Sequence, residues 1–339
     1  MPKISCVLPV FNGLPYFESA VDSVLKQSFG DFELLLIDDG STDGSGDVCR
    51  ALARRDMRIR LMSKPNSGIV ETLNLGIALA QAPYVARMDA DDICHPDRFA
   101  RQIEYLEEHP EVVVLGSRID VIDAEGRFVH RPRAVVWMRD FGGFPSGGIA
   151  LCHPTVMFRR DAFLKTRGYS ELYHAAEDYA LWLEMSAQGA VTQLADYLLR
   201  YRVHEGSVSR VKLDRQRFSC LKAELVYEAR LRGRETSLIE RFEQCDQLDE
   251  LLALLTPGDS ALPSKRAVMA YFSGQLTRRL ANRGRPGEAL AALRDTAGKV
   301  LVASPRLARR ADRHAVLNAT HNLARSCYAI ARQLIDTRN

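Results

Sequence analysis

The chain has 339 residues, with 46 basic and 43 acidic side chains and a formal charge of +3. So even a balance is too small to imply nucleic acid as the main partner, and 46% hydrophobic with 26% charged residues excludes a collagenous or wholly disordered chain. No apolar run reaches the roughly 18–20 residues of a membrane span. The segment from Met1 to Cys6 leads straight into a strand-like stretch rather than the apolar core of a signal peptide. Seven cysteines are scattered through the chain with no Cys-x-x-Cys pair. Reduced thiols, no zinc site and a cytoplasmic location are the expectation.

In chain order, residues 3–10 form an apolar, branched run that predicts a strand, and 16–28 carry helical periodicity. Glu33-Leu34-Leu35-Leu36-Ile37 reads as a strand buried on both faces. A turn rich in Gly, Ser and Asp (39–46) precedes a helix to about Arg55. A strand at 58–62, a helix at 69–81, a strand at 84–88, a helix from Pro96 to about His109 and a strand at 112–115 follow. This alternation predicts an α/β fold with a mostly parallel sheet and helices on both faces. Ligands of such sheets bind at the carboxyl ends of the strands.

The second half reads differently. Residues 142–148 are a loop, 176–189 a helix and 198–203 a strand. Beyond about Asp214 the strand signals stop, and 215–255, 264–283, 286–302 and 306–336 read as helices broken by prolines. Residues 270–305 have the look of a single tetratricopeptide unit. The expected division is therefore 1–214, an α/β domain, and 215–339, a helical region. Residues 304–339 hold seven arginines against two aspartates, with Val316, Thr320, Leu323, Cys327, Ile330 and Leu334 along one stripe. That pattern suits a helix packed in a bundle; its alternative is peripheral contact with an anionic membrane surface.

Three polar turns follow the strands at one sheet edge: Pro9-Val10-Phe11-Asn12-Gly13, Asp38-Asp39-Gly40-Ser41-Thr42-Asp43, and Met88-Asp89-Ala90-Asp91-Asp92. Helix capping needs about one such residue per turn, and these turns hold more carboxylates than that. Crowded like charges are costly unless neutralised. A hard divalent cation on a nucleotide diphosphate does so with one or two carboxylates and phosphate oxygens. No Walker loop and no Gly-x-Gly-x-x-Gly is present, so ATPase and NAD readings lack their motifs. Asp92 reads as a cap for the following turn.

These turns, with Asn66-Ser67-Gly68, Asn74 and Gly76, resemble the family-2 glycosyltransferases of GT-A fold. His153-Pro154-Thr155-Val156-Met157-Phe158-Arg159-Arg160, then Ala176-Glu177-Asp178-Tyr179-Ala180-Leu181-Trp182, then Tyr201-Arg202-Val203-His204-Glu205-Gly206-Ser207 extend the resemblance over about 1–210. It implies an inverting enzyme, and the absence of the processive synthases' Gln-x-x-Arg-Trp motif and of membrane spans argues for a non-processive one. The donor is a nucleotide sugar, expected to be UDP-linked, and the acceptor a glycan or lipid-linked glycan of the kind built into surface polysaccharide. The cofactor is Mn²⁺ or Mg²⁺.

By the same resemblance, Asp39 reads the nucleobase edge, with Pro9, Val10, Phe11, Asn12, Ser67 and Asn74 around the nucleotide. Asp89 holds the ribose or a metal-bound water, and Asp91 ligates the metal. Arg202 clamps the diphosphate, while His204 is either a metal ligand or an ordinary surface histidine. Asp178 is the candidate general base, because an inverting transfer needs a carboxylate on the acceptor side. Glu177 and Trp182 are expected at the acceptor, Trp182 by stacking one helical turn from Asp178. The family often has arginine where this chain has Leu73, and the processive Gln-x-x-Arg-Trp motif is absent. The rival readings are a nucleotidyltransferase and a sugar-nucleotide-binding scaffold.

Overall fold

The computed structural model describes residues 1–132, 151–204 and 213–254. The loop at 142–148, the tetratricopeptide-like stretch and the arginine-rich stripe lie outside the described residues.

β1 (Ile4–Val10) and β2 (Phe32–Asp38) are buried at every residue, as continuous apolar runs require in a sheet covered on both faces. They pair in parallel with β3 (Ile59–Ser63) and β4 (Tyr84–Arg87) in the order β3-β2-β1-β4. The crossovers are α1 (Phe17–Leu25), α2 (Ser45–Arg55) and α3 (Ile69–Leu79). α1 shows why it packs there: Phe17, Ala20, Val21 and Val24 form one buried stripe at helical spacing.

Past β4 the expected parallel order gives way to a mixed sheet. β5 (Ile93–Cys94), α4 (Arg98–Glu108), β6 (Val112–Ile122), β7 (Phe128–His130), β8 (Met157–Arg159), α5 (Arg160–Phe163), α6 (Glu177–Ser186) and β9 (Ala190–Arg202) complete the order β3-β2-β1-β4-β8-β6-β9-β5, with β7 on β6. β8 runs antiparallel to both β4 and β6, and β5 antiparallel to β9, while β6 and β9 are parallel. β9 begins eight residues before the expected strand because its first half is half-exposed and lacks a continuous apolar run. β6 likewise continues through the partly exposed Arg118, Ile119 and Asp120.

The chain divides into two compact units, Met1–Gln244 and Cys245–Asn339. The expected boundary at 214 therefore falls inside α7 (Leu213–Leu231), which belongs to the first unit. The reason is packing: Ala223 of α7 joins Tyr173, Ala176, Tyr179, Ala180 and Leu183 in one buried cluster. The long helix expected over 215–255 is three: α7, α8 (Thr236–Gln244) and α9 (Leu248–Leu254). Gly233, at φ +60°, ends α7 with the Arg234 N–H on the Ala229 carbonyl at 2.9 Å, a left-handed cap that glycine adopts without strain. α9 is the described part of the second unit. Cys6, Cys49, Cys94, Cys152, Cys220 and Cys245 are free thiols. Among the described residues no helix is long and apolar enough to cross a membrane.

Candidate active site

The carboxyl ends of β1 and β2 make the first part of the site. The 12–14 turn is laced to the 41–45 turn: Thr42 N–H donates to Asn12 Oδ1 at 2.8 Å, Gly13 N–H to Ser45 Oγ at 3.0 Å and Leu14 N–H to Asp43 Oδ2 at 3.2 Å. Pro9 and Val10 are buried in β1, and Phe11 and Asn12 are exposed at the strand end. Asp38 is the turn acid, accepting the Ser41 N–H at 3.0 Å. Asp39 accepts the N–H groups of Ser67 (2.9 Å) and Gly68 (3.0 Å) and pairs with Lys64, which also bonds the Ser67 hydroxyl. Asp39 and Ser67 are thus brought together. Gly40, at φ +75°, permits this approach, since a Cβ there would sit 2.7 Å from the Asn66 nitrogen.

Asn74 is placed elsewhere. Its amide donates to the Tyr169 carbonyl and accepts the Tyr169 N–H, both at 2.9 Å, so both ends are spent on backbone. Leu73 is buried in the core under the sheet.

The turn after β4 brings Asp89, Asp91 and Asp92 together, with carboxylate oxygens within 4.8 Å of one another. Burial and the two neighbouring acids push Asp92 well above the usual carboxylate range, and burial raises Asp89 against the pull of Arg87. Arg87 forms an ion pair with Asp89. Asp92 is not the expected turn cap: it is fully buried, and its Oδ1 accepts the Arg202 N–H at 2.8 Å. Its Oδ2 has no hydrogen-bond partner among the described residues. An all-oxygen set with an unsatisfied buried oxygen fits a hard cation such as Mg²⁺ or Mn²⁺. His204 Nε2 lies 3.0 Å from Asp91 Oδ2, and its ring is 5.2 Å from that of Tyr16.

Arg202 corrects the expected clamp. It is buried, and its guanidinium donates to the carbonyls of Asp91 (2.8 Å), Asp123 (3.1 Å) and Ala124 (2.8 Å) while stacking on Tyr16 at 4.6 Å. Three carbonyls hold it in place, so it braces the acidic turn.

α6 supplies the remaining carboxylates. Glu177 and Asp178 occupy its first turn, half-exposed. Burial first, then the neighbouring Glu177, push Asp178 up to about 7, and burial raises Glu177. An acid poised near neutrality can take and release a proton at working pH. Trp182 is not at a sugar-binding surface. It is wholly buried against His153, Phe158 and Tyr169, because the face of α6 one turn below Asp178 packs on the sheet.

The profile described as "Glycosyl transferase family 2" matches residues 5–167. Over 235 residues the chain is 32% identical to the putative glycosyltransferase EpsE of Bacillus subtilis, covering 67% of this chain and 82% of that protein. The chain belongs to glycosyl transferase family 2. The amylovoran biosynthesis glycosyltransferase AmsE of Erwinia amylovora is 31% identical over 228 residues, 66% of this chain and 82% of that protein. Chondroitin synthase of Pasteurella multocida is 28% identical, and this glycosyltransferase spans 25% of its length. The fold is that of S. aureus TarS in complex with UDP-GlcNAc (TM-score 0.58, 17% identity, 91% of this chain and 93% of that one). It is also that of the Pyrobaculum calidifontis mannosyltransferase PcManGT with GDP-Man and Mn²⁺ (TM-score 0.55, 17% identity, 98% and 86%).

Three residues of the glycosyltransferase's site were not read from sequence. Lys64 lies beyond the expected strand at 58–62, Tyr16 opens the expected helix at 16–28, and Arg87 lies in the expected strand at 84–88. The available signal was Arg87 itself, a cation inside an otherwise apolar strand two residues before Asp89.

Proposed function

We propose that this glycosyltransferase moves a sugar from a UDP-sugar to a glycan or lipid-linked glycan, with inversion at the anomeric carbon and with Mn²⁺ or Mg²⁺ at the acidic turn. The observation that carries the reading is the presence of two carboxylate sets on two different elements. Asp89, Asp91 and Asp92 follow β4, while Asp178, poised at about 7, starts α6. One set suits the donor diphosphate and the other the acceptor hydroxyl.

Phe11 offers an exposed ring to the nucleobase, and Asp39, held in place by the 64–68 turn, faces the same strand ends. Asp91 and Asp89 would hold the cation, with His204 beside Asp91. When bound, the cation neutralises charge on the leaving diphosphate. Asp178 accepts the acceptor hydroxyl's proton as the oxygen attacks the anomeric carbon and the bond to the diphosphate breaks. Glu177 keeps Asp178 basic through like-charge repulsion. AmsE and chondroitin synthase, named for glycan synthesis, support a glycan acceptor, and the complex of TarS with UDP-GlcNAc supports a UDP donor.

The test is a panel of UDP- and GDP-sugars incubated with Mn²⁺, with and without EDTA, and scored for nucleotide release and product anomer. One UDP-sugar consumed only with metal, giving the opposite anomer, is the expected result. A retained anomer, or full turnover in EDTA, overturns the corresponding part of the reading.

A further inference from the structure

We propose that Tyr16 is a positioning residue for the cation site: its ring holds His204 at Asp91 and so biases the acidic turn toward a transition-metal ion over Mg²⁺. The proposal rests on the metal reading above and adds the residue that places the histidine and the class of ion this placement favours.

One ring meets both residues that reach Asp91 from the end of β9. The guanidinium of Arg202 stacks on Tyr16 at 4.6 Å, and the His204 ring lies 5.2 Å from it at a tilt of 41°. Arg202 Nε donates to the Asp91 carbonyl at 2.8 Å, while His204 Nε2 lies 3.0 Å from Asp91 Oδ2. Residues two apart on extended chain share a side, which is why a single ring can serve 202 and 204. The His204–Asp91 pair is also open to an incoming ion, with 24% and 35% of the two side chains exposed.

Tyr16 sits on a fixed turn. Its N–H donates to the Gly13 carbonyl at 3.0 Å, Gly13 N–H donates to Ser45 Oγ at 3.0 Å, and the next residue, Phe17, is fully buried in the core. The residue type breaks a local rule at this point. Tyr16 is the N-cap of α1, a position that favours Ser, Thr, Asp or Asn, and its side chain caps none of the helix N–H groups. A ring at a capping position is explained by its contacts with Arg202 and His204, made across the sheet edge.

The chemistry follows from the donor set. Mg²⁺ keeps to carboxylates, water and phosphate oxygens, whereas imidazole suits divalent transition ions. The acidic turn offers oxygens to either ion, so a fixed imidazole beside Asp91 is what tells them apart. Groups that orient a ligating histidine typically matter about 10–100-fold in metal affinity. Arg202 keeps its three carbonyls without the ring, so loss of the ring falls on His204.

The experiment is calorimetry with Co²⁺, as the imidazole-sensitive probe, and with Mg²⁺, both without nucleotide. It uses the full chain and its Tyr16→Leu, Tyr16→Phe and His204→Ala variants, and the double variant of Tyr16→Leu with His204→Ala. Tyr16 is half-exposed, so its replacement spares the core, and melting curves check this. Tyr16→Phe keeps the ring and should bind both ions as the wild type does. Tyr16→Leu should lose about 10-fold in Co²⁺ affinity and little in Mg²⁺ affinity. The double variant should bind Co²⁺ no more weakly than His204→Ala alone, because Tyr16 acts through His204. Equal losses for the two ions, no loss for Co²⁺, a Tyr16→Phe as weak as Tyr16→Leu, or additive losses in the double variant each overturn the proposal. A wild type that binds neither ion overturns the metal reading beneath it, whereas a wild type that binds and a Tyr16→Leu that binds equally well overturn this proposal alone.

Discussion

The backbone N–H of Arg202 donates to Oδ1 of Asp92 at 2.8 Å, joining the end of β9 to the acidic turn 110 residues earlier. The same residue's Nε returns to the Asp91 carbonyl. Arg202 therefore sets the shape of the turn that carries the candidate metal ligands, although it was expected at the diphosphate. Arg202→Lys keeps the charge but loses the rigid planar fork that reaches the carbonyls of Asp91, Asp123 and Ala124. Breaking such a buried network costs roughly 2–4 kcal/mol, so thermal melting should show a clear loss of stability together with weaker Mn²⁺ binding. An unchanged melting temperature with only a raised KM would return Arg202 to the phosphate.

Asp178→Asn keeps shape but removes the proposed base, and kcat should fall by about 10²–10⁴-fold. UDP affinity should stay unchanged in calorimetry, since Asp178 lies on the other carboxylate set. Turnover close to wild type would move the base to Glu177.

The pH profile follows from the same group. A base works as its carboxylate, and burial lifts Asp178 to about 7. The kcat/KM of the wild type should rise with pH through about 7 and level off above it. A profile flat from pH 5 to 8 would assign the proton to another acceptor.

Asp91→Ala should abolish Mn²⁺ titration heat and metal-dependent UDP binding, with the fold retained by circular dichroism. Its carboxylate is half-exposed and is not among the buried braces of the turn. Intact Mn²⁺ binding in that variant would shift the ligand set to Asp89 and Asp92.

Glu224 on α7 offers a stability test away from the chemistry. It is wholly buried, accepts the Tyr179 hydroxyl, and burial pushes it to about 7 from the usual 4.5. Between 4.5 and 7 the folded chain keeps a proton that the unfolded chain has lost. Stability is therefore fully present below 4.5 and falls as pH rises to 7, by on the order of 3 kcal/mol. Glu224→Gln does not titrate, so its melting temperature relative to wild type should rise from pH 5 to pH 8. Parallel curves would show that Glu224 is ionised in the fold.

Trp182→Phe distinguishes a core indole from a sugar platform. Removing part of a fully buried ring leaves a cavity and should lower the melting temperature by several degrees. Acceptor KM should not move; a large rise in it would restore the platform.

β1, β2 and α1 were legible because burial on both faces, or along one stripe, writes itself as a continuous or 3.6-spaced apolar pattern. The acidic turn was legible too, since it holds more carboxylates than capping explains, whereas the Glu177–Asp178 pair was legible only through the family resemblance. Those local rules determined the α/β order, the sheet edge that carries the site, and the family resemblance that the comparisons bear out. The partners of each polar side chain were decided only in three dimensions. Arg202, Asn74 and Trp182 look like ligand contacts in their motifs, yet each is consumed by residues distant in sequence: Asp91, Asp123 and Ala124; Tyr169; His153 and Phe158. The direction of β8 and the attachment of α7 to α6 were decided there as well. Periodicity records how much of a residue is buried, while hydrogen bonds and packing across the sheet depend on which distant segment arrives opposite it.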